Sequence, residues 1–339
     1  MAASIKDVAR EAGVSIATVS RVLNNVDVVN EDTKKKVQDA IKKLSYRPNI
    51  VARSLKTQRT KTIGILVPDI SNQFYPEVVR GAEDVANIYD YNIILCNSDS
   101  DLEKEKEYIR VLKEKMVDGM LYMSSSLEGE IIDLIDELEL KTVLVETKVS
   151  GGRMPSVTID NKKAAYDATK YLLDKGNKKV AYIGLKKDRN NAVSKRYNGY
   201  EKALKDHGIE VDHSLLFFGD LKAADGYNGI NVILENAEID AVFCASDEVA
   251  MGAINALRDK GISCPEDVDV MGFNDNSMAA VFYPKISTVA QPMYDMGSVG
   301  MRMLIKIVNN KPLDDDQYVL QYYLVERDSV KKQGEHYGL

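Results

Sequence analysis

Arg21 is the residue of this chain best placed to read a base. A guanidinium offers a planar fork of N–H donors, which matches the two acceptors on the major-groove edge of guanine. It lies in the run Val14-Ser15-Ile16-Ala17-Thr18-Val19-Ser20-Arg21-Val22-Leu23-Asn24, with Val19 and Leu23 spaced to pack inward. Ile16, Ala17, Thr18, Ser20 and Arg21 then point outward. Ile16 and Ala17 carry no side-chain donor, so their base contacts must be apolar, for example with thymine methyls. Lys6, Arg10 and the hydroxyls of Thr18 and Ser20 suit phosphate oxygens. Ser15 and Asn24, near the two ends of the same run, join the predicted DNA-binding set.

A second group follows in Arg47-Pro48-Asn49-Ile50-Val51-Ala52-Arg53-Ser54-Leu55-Lys56. Pro48 gives a defined entry and Asn49 can cap a short helix from Ile50 to Leu55. Six residues cannot hold a helix alone in water, so order there is expected only with DNA and a second copy of the chain. Leu55 is the predicted wedge between base steps of the minor groove, with Asn49, Ala52 and Lys56 beside it at the DNA.

A third group concerns a small ligand. Asp69, Ser71, Asn72 and Phe74 follow one apolar run, and Arg196, Asp247, Asn274 and Asp275 accompany others farther along. Polar groups at the carboxyl edge of a parallel sheet, with an aromatic nearby, resemble a sugar-type pocket. The plainer alternative is that Asp69, Asp247 and Asp275 cap the helices that begin just after each strand. Arg196 and Asp275 favour ligand contact, because charges in a cleft need a partner.

Positioning Arg21 requires two short helices at a steep angle. Ile5–Ala12 supplies the first, Gly13 breaks it, and Ser15 is placed to cap the second; Val8 and Ala12 join Val19 and Leu23 inside. Such a helix-turn-helix puts its second helix in a major groove. Charge agrees: residues 1–60 hold 12 Lys and Arg against 6 Asp and Glu, and the remainder 33 against 46. A basic head on an acidic body suits one part that meets phosphates and one that does not.

Positioning the third group requires strands. Thr62–Val67, Tyr91–Cys96, Gly119–Met123 and Thr142–Val145 look like buried parallel strands separated by the helices Asn72–Tyr89, Leu102–Lys115 and Gly129–Glu139. After a link at Ser156–Asp160 the alternation resumes, with helix Lys163–Asp174, strand Lys179–Gly184, helix Ser194–His207, strand Leu215–Phe218, helix Asp225–Glu235, strand Ala241–Ala245, helix Glu248–Lys260 and strand Val268–Phe273. Two doubly wound α/β sheets in tandem imply two lobes with a cleft between them. The predicted divisions are 1–48 for the headpiece, 49–60 for hinge and linker, 61–160 with 292–322 for one lobe, 161–291 with 323–332 for the other, and 333–339 for a tail.

Nothing points to catalysis, a cofactor or a metal. The phosphate-loop, dinucleotide, nucleophile-elbow and zinc-protease motifs are absent, and the three histidines lie in polar surroundings. Cys96, Cys244 and Cys264 are odd in number and far apart, as expected of free thiols in a reducing cytoplasm. No apolar run is long enough to span a membrane and no apolar leader opens the chain, so a cytoplasmic, nucleoid-associated protein is expected.

Taken together, Ile5–Asn24, Tyr46-Arg47-Pro48-Asn49 through Leu55, Ser156-Val157-Thr158-Ile159-Asp160, Arg196-Tyr197-Asn198-Gly199-Tyr200 and Gly272-Phe273-Asn274-Asp275-Asn276 resemble the LacI/GalR family of bacterial transcription regulators from about Ile5 to Arg327. The resemblance implies a homodimer of headpieces on periplasmic-binding-protein-like cores, bound to palindromic operator DNA, with Arg196 where sugar- and purine-sensing members hold their ligand. Asp69–Tyr75, Tyr89–Leu95 and Gln291–Gly297 running into Val299–Leu304 are most similar to the branch concerned with carbon catabolite control. In that branch the co-effector is the phosphocarrier protein HPr phosphorylated on serine. By position Arg302 would read the phosphate, and Met293, Tyr294 and Asp295 would line the docking surface. The branch carries an additional arginine where this chain reads Tyr322-Tyr323-Leu324-Val325-Glu326-Arg327. The competing expectation is a repressor that senses a small sugar or sugar phosphate in the cleft.

Overall fold

The computed structural model describes residues 3–23, 29–46, 59–124, 129–149, 151–185 and 194–332. Asn24, Asn49, Ala52, Leu55 and Lys56 lie outside the described residues. The chain divides into two compact units, Met1–Thr60 and Lys61–Leu339.

The first unit contains the helices α1 (Ile5–Ala12), α2 (Ile16–Leu23) and α3 (Glu31–Lys43). Ser4 and Asp7 form a reciprocal capping box at the start of α1. Gly13 ends that helix in the left-handed region at φ 67°, and the next amide, Val14 N–H, donates back to the Ala9 carbonyl at 3.0 Å. A side chain at Gly13 would strain this turn, which sets the angle between the two helices. Ser15 caps α2 by accepting the Thr18 N–H at 3.1 Å. Val8 and Val19 are fully buried as expected, whereas Ala12 and Leu23 are only half-buried and Val22 packs deeper. The third helix, not read from the sequence, closes this core with Val37 and Ala40 and is tied to α1 by a Lys43–Glu11 ion pair of 2.6 Å.

The second unit alternates strands and helices. Its first half runs β1 (Thr62–Val67), α4 (Phe74–Ile88), β2 (Asn92–Asn97), α5 (Leu102–Glu114), β3 (Gly119–Tyr122), α6 (Gly129–Glu137), β4 (Thr142–Val145) and β5 (Ser156–Ile159). Its second half runs α7 (Asn161–Asp174), β6 (Val180–Gly184), α8 (Ser194–Asp206), β7 (Leu216–Phe218), α9 (Ala223–Asn236), β8 (Ala241–Cys244), α10 (Asp247–Asp259) and β9 (Asp269–Asn274). The chain closes with β10 (Ser287–Ala290), α11 (Met293–Val308), β11 (Gln317–Leu320) and β12 (Tyr323–Val325).

One sheet has the order β11-β5-β4-β3-β1-β2 and is parallel throughout. The other has the order β12-β10-β9-β8-β6-β7 and is parallel except for β12, which runs antiparallel to β10. That edge strand corrects the expectation of two wholly parallel sheets. The last three strands are three or four residues long with polar residues among them, too short for a periodicity to show. The chain passes between the sheets three times, from β5 to α7, from β10 to α11 and from β11 to β12.

Helix α11 buries Met296, Met301, Met303 and Leu304 in the core of the first lobe, against Val143, Val145 and Val157 of the sheet. It also crosses α4 in backbone contact: a Cβ on Gly297 would lie 1.8 Å from the Val78 carbonyl oxygen, and one on Gly81 2.0 Å from that of Tyr294. No helix among the described residues is long and apolar enough to cross a membrane.

Candidate functional site

On the first unit, α2 exposes Ile16, Ala17 and Arg21, with Ile16 at 44% of its free surface. Thr18 and Ser20 are half-buried, and the Thr18 hydroxyl lies 2.9 Å from that of Ser15. Lys6 and Arg10 are exposed on α1, where Arg10 pairs with Asp7 at 2.8 Å. The arginine best suited to a base therefore shares an exposed helix with two apolar residues, while the neighbouring hydroxyls lie lower.

On the second unit, the strand ends of the two lobes meet across a cleft. Arg196 of α8 is only 1% exposed. Its Nε donates to Asn161 Oδ1 at 2.9 Å, its Nη1 to the Ala245 carbonyl at 2.5 Å, and its guanidinium carbon sits 3.8 Å above the Phe273 ring. Its Nη2 lies 3.5 Å from Glu146 Oε1, a carboxylate at the end of β4 in the other lobe. Tyr75 of α4 donates to the second oxygen of Glu146 at 3.5 Å. Burial pushes the Glu146 carboxyl above its ordinary range, against the pull of Arg196. Burial and Glu146 also raise the Tyr75 hydroxyl, so it stays protonated and donates.

Asp69 accepts from the Ser71 amide and hydroxyl at 2.9 and 2.6 Å and pairs across the cleft with Lys222 at the start of α9. Burial alone would raise the Asp69 carboxyl, but Lys222 and Ser71 outweigh it and hold it below the usual range. Asp275 pairs with Arg327 at 2.6 Å. Asn274 accepts from Gln291 Nε2 at 2.7 Å. Glu146, Asn274 and Asp275 all hold positive φ angles, 71°, 112° and 60°. Non-glycine residues take this conformation at a cost and keep it where their surroundings impose it, often at functional sites.

Several expectations change accordingly. Arg196 and Asp275 do have charged partners, but these are Glu146 and Arg327 of the chain itself. Asp247 does not join the cross-lobe contacts: it is fully buried in its own lobe, with Oδ1 accepting from Thr288 Oγ1 at 2.5 Å and Oδ2 from the Asn276 amide at 2.8 Å. Nor does it cap, because Ser246 caps α10. Phe74 belongs to the core of the first lobe, and its neighbour Tyr75 is the aromatic that touches the cross-lobe pair. Asn72 accepts from the Phe74 amide at 3.0 Å and shapes the entry of α4, while Ser71 is exposed. Sequence reasoning missed Tyr75, Glu146 and Lys222. The strand-end rule that selected Asp69 would have found Glu146, which directly follows the apolar run of β4.

On the outer side of the crossing of α4 and α11, Tyr294, Asp295 and Arg302 are exposed. The Tyr294 hydroxyl donates to Asp84 Oδ2 at 3.0 Å, and Arg80 lies 3.5 Å from the same carboxylate. Asp84 raises the Tyr294 hydroxyl above its ordinary range, with Arg80 and Arg302 opposing. Arg302 makes no ion pair with a described residue. Met293, expected on this surface, is instead 7% exposed and packs in the core with Phe74. It opens the helix on the inward side, where Met296 and Gly300 follow at helical spacing.

Comparison with known proteins agrees with this anatomy. Residues 4–49 match the family described as bacterial regulatory proteins, lacI family, and residues 60–326 match periplasmic binding proteins and sugar binding domain of LacI family. The HTH-type transcriptional regulator RegA of Clostridium saccharobutylicum is 69% identical over 331 residues, covering 97% of this chain and 100% of the relative. Catabolite control protein A of Priestia megaterium is 40% identical over 334 residues, covering 98% of this chain and 100% of that protein. Among solved structures, the transcription regulator CcpA of Lactococcus lactis is 36% identical with a TM-score of 0.75, covering 80% of this chain and 99% of that one. A helix-turn-helix unit with an exposed arginine, joined in sequence to a two-lobed α/β core, is the family's arrangement, and the chain belongs to the LacI family of bacterial DNA-binding transcription regulators.

Proposed function

We propose that the protein works as a homodimer on palindromic operators, mainly as a repressor of genes of carbon metabolism, with serine-phosphorylated HPr as its co-effector. In this reading residues 1–48 carry the DNA-reading face, with Arg21 on a guanine. Residues 49–60 form the hinge whose Leu55 enters the minor groove. Operator binding then keeps the protein on the nucleoid. Apolar side chains left exposed on both lobes, Ile88 and Leu95 on one, Val281 and Tyr283 on the other, support a dimer. The relatives named catabolite control protein A support the metabolic assignment.

The observation that carries the co-effector reading is the contrast between two arginines. Arg196 in the cleft is engaged by Asn161, Ala245 and Glu146, whereas Arg302, on the same helix as Tyr294, is exposed and has no ion pair among the described residues. A phosphoserine brings a charge of about −1.5 to −2 and three acceptor oxygens, which an unspent guanidinium binds well. Titrating the protein on operator DNA with phosphorylated HPr, unphosphorylated HPr and a panel of sugar phosphates tests this. Only phosphorylated HPr should raise operator affinity, and Arg302→Glu should abolish the gain while basal binding survives. A response to a sugar phosphate, with none to phosphorylated HPr, would establish a small-molecule sensor instead.

A further inference from the structure

Among the described residues, two ion pairs join the lobes across the cleft. On the rim, Asp69 after β1 meets Lys222 at the start of α9. Deeper, Glu146 after β4 meets Arg196 of α8, with side chains 8% and 2% exposed. A guanidinium this deeply buried needs a counter-charge, since an isolated buried ion is strongly disfavoured. Its Nε and Nη1 are spent on Asn161 and Ala245 of its own lobe. The remaining Nη2 is the one that faces across the cleft, and it finds Glu146 there. Glu146 holds a φ of 71°, and its amide donates to the Val157 carbonyl at 2.9 Å. The left-handed conformation is thus fixed by the sheet edge, and Tyr75 engages the other carboxylate oxygen.

We propose that Glu146 is a built-in anion for Arg196: it occupies the place an anionic small ligand would need and, with Asp69–Lys222, latches the two lobes without any ligand. Two consequences follow from charge alone. An external carboxylate or phosphate entering beside Arg196 would meet a second negative charge in a poorly screened interior, so the cleft discriminates against anions. A core already closed by its own residues leaves its switching to a partner that acts elsewhere. The inference shares its Arg196–Glu146 pair with the phosphoprotein reading but is tested on the cleft alone, with no phosphoprotein present, so failure of one is distinguishable from failure of the other.

The test compares the full-length protein with its Glu146→Gln and Glu146→Ala variants. Amide exchange is followed in residues 142–149 and 194–200, alongside thermal unfolding in acetate, inorganic phosphate or chloride at matched ionic strength. Wild-type protein should show slow exchange in both segments and no stabilisation by acetate or phosphate beyond that in chloride. Both variants should exchange at least tenfold faster there. Glu146→Ala, which leaves space beside Arg196, should recover slow exchange and gain several degrees in Tm in acetate, as binding to the folded state requires. If the Glu146 variants do not fold, Lys222→Ala on the half-exposed rim carries the test and should speed exchange in the same segments. Wild-type protein stabilised by acetate or phosphate as strongly as Glu146→Ala overturns the proposal. Exchange unchanged in every variant overturns it equally.

Discussion

Asp247 should make the stability of the core fall as pH rises through neutrality. Burial raises its carboxyl to about 7, with the Thr288 hydroxyl and the Asn276 amide opposing. In the unfolded chain an aspartate titrates near ~3.9. Below that value both states hold the proton and the contribution is constant. Between there and about 7 the unfolded chain has released the proton while the folded protein keeps it, so stability is lost with rising pH; above about 7 the loss is complete. A gap of about three pH units corresponds to roughly 4 kcal/mol as an upper figure. The perturbation is Asp247→Asn, which keeps the shape, lets its Oδ1 accept from the Asn276 amide and lets its Nδ2 donate to the Thr288 hydroxyl. Thermal and urea unfolding of both proteins from pH 5 to 8.5 should show the variant gaining on the wild type with increasing pH, by roughly 2–3 kcal/mol, because only the two units between pH 5 and about 7 fall in this window. The same residue holds Asn276, next to the strained Asn274–Asp275 turn at the cleft, so the response should be strongest in that lobe. Parallel pH profiles, or a variant whose stability falls as steeply as that of the wild type, would refute a buried protonated aspartate.

On the headpiece, Arg21→Ala should lose about 1–3 kcal/mol at one operator position in each half-site. Lys6→Ala should instead weaken all sequences alike and make the salt dependence shallower, which a panel of single-base operator variants will separate. Ser15→Ala removes the cap on α2 and should lower headpiece stability by about 1 kcal/mol, read from its own melting transition. Gly297→Ala forces a Cβ against the Val78 carbonyl, a backbone atom that cannot swing away. The cost should be at least the ~1–3 kcal/mol usual for overpacking, and the response to phosphorylated HPr should fall further than basal operator affinity.

Local signals in the sequence determined the reading head. The glycine that turns the chain, the serine that caps the next helix and the alternation of buried valines with exposed polar residues all act within a few positions of one another. Gly13, Ser15 and Val19 are therefore legible, and Arg21 is legible with them as an outward side chain. The strand-helix alternation of the core has the same character, because each apolar run and each helical period is contained in its own segment. The third headpiece helix and the last three strands left weaker marks. The helix is strongly charged, and the strands are too short and mixed to show a period.

Pairing was decided only by tertiary structure. Lys222 and Asp69 lie 153 positions apart, and nothing near either residue announces the other. Arg196 looked like a ligand contact because a cleft charge needs a partner; the rule held, but folding brought Glu146 to it from the other lobe. Met293 and Arg302 share one helix and both resembled surface residues. The backbone contact of that helix with α4 at Gly81 and Gly297, together with its apolar face against the sheet, turned the first inward and left the second exposed. Caps and periodicities are energies of neighbours in the chain, whereas counter-charges and buried faces are energies of neighbours in space, and these exist only once both sheets have closed over their cores.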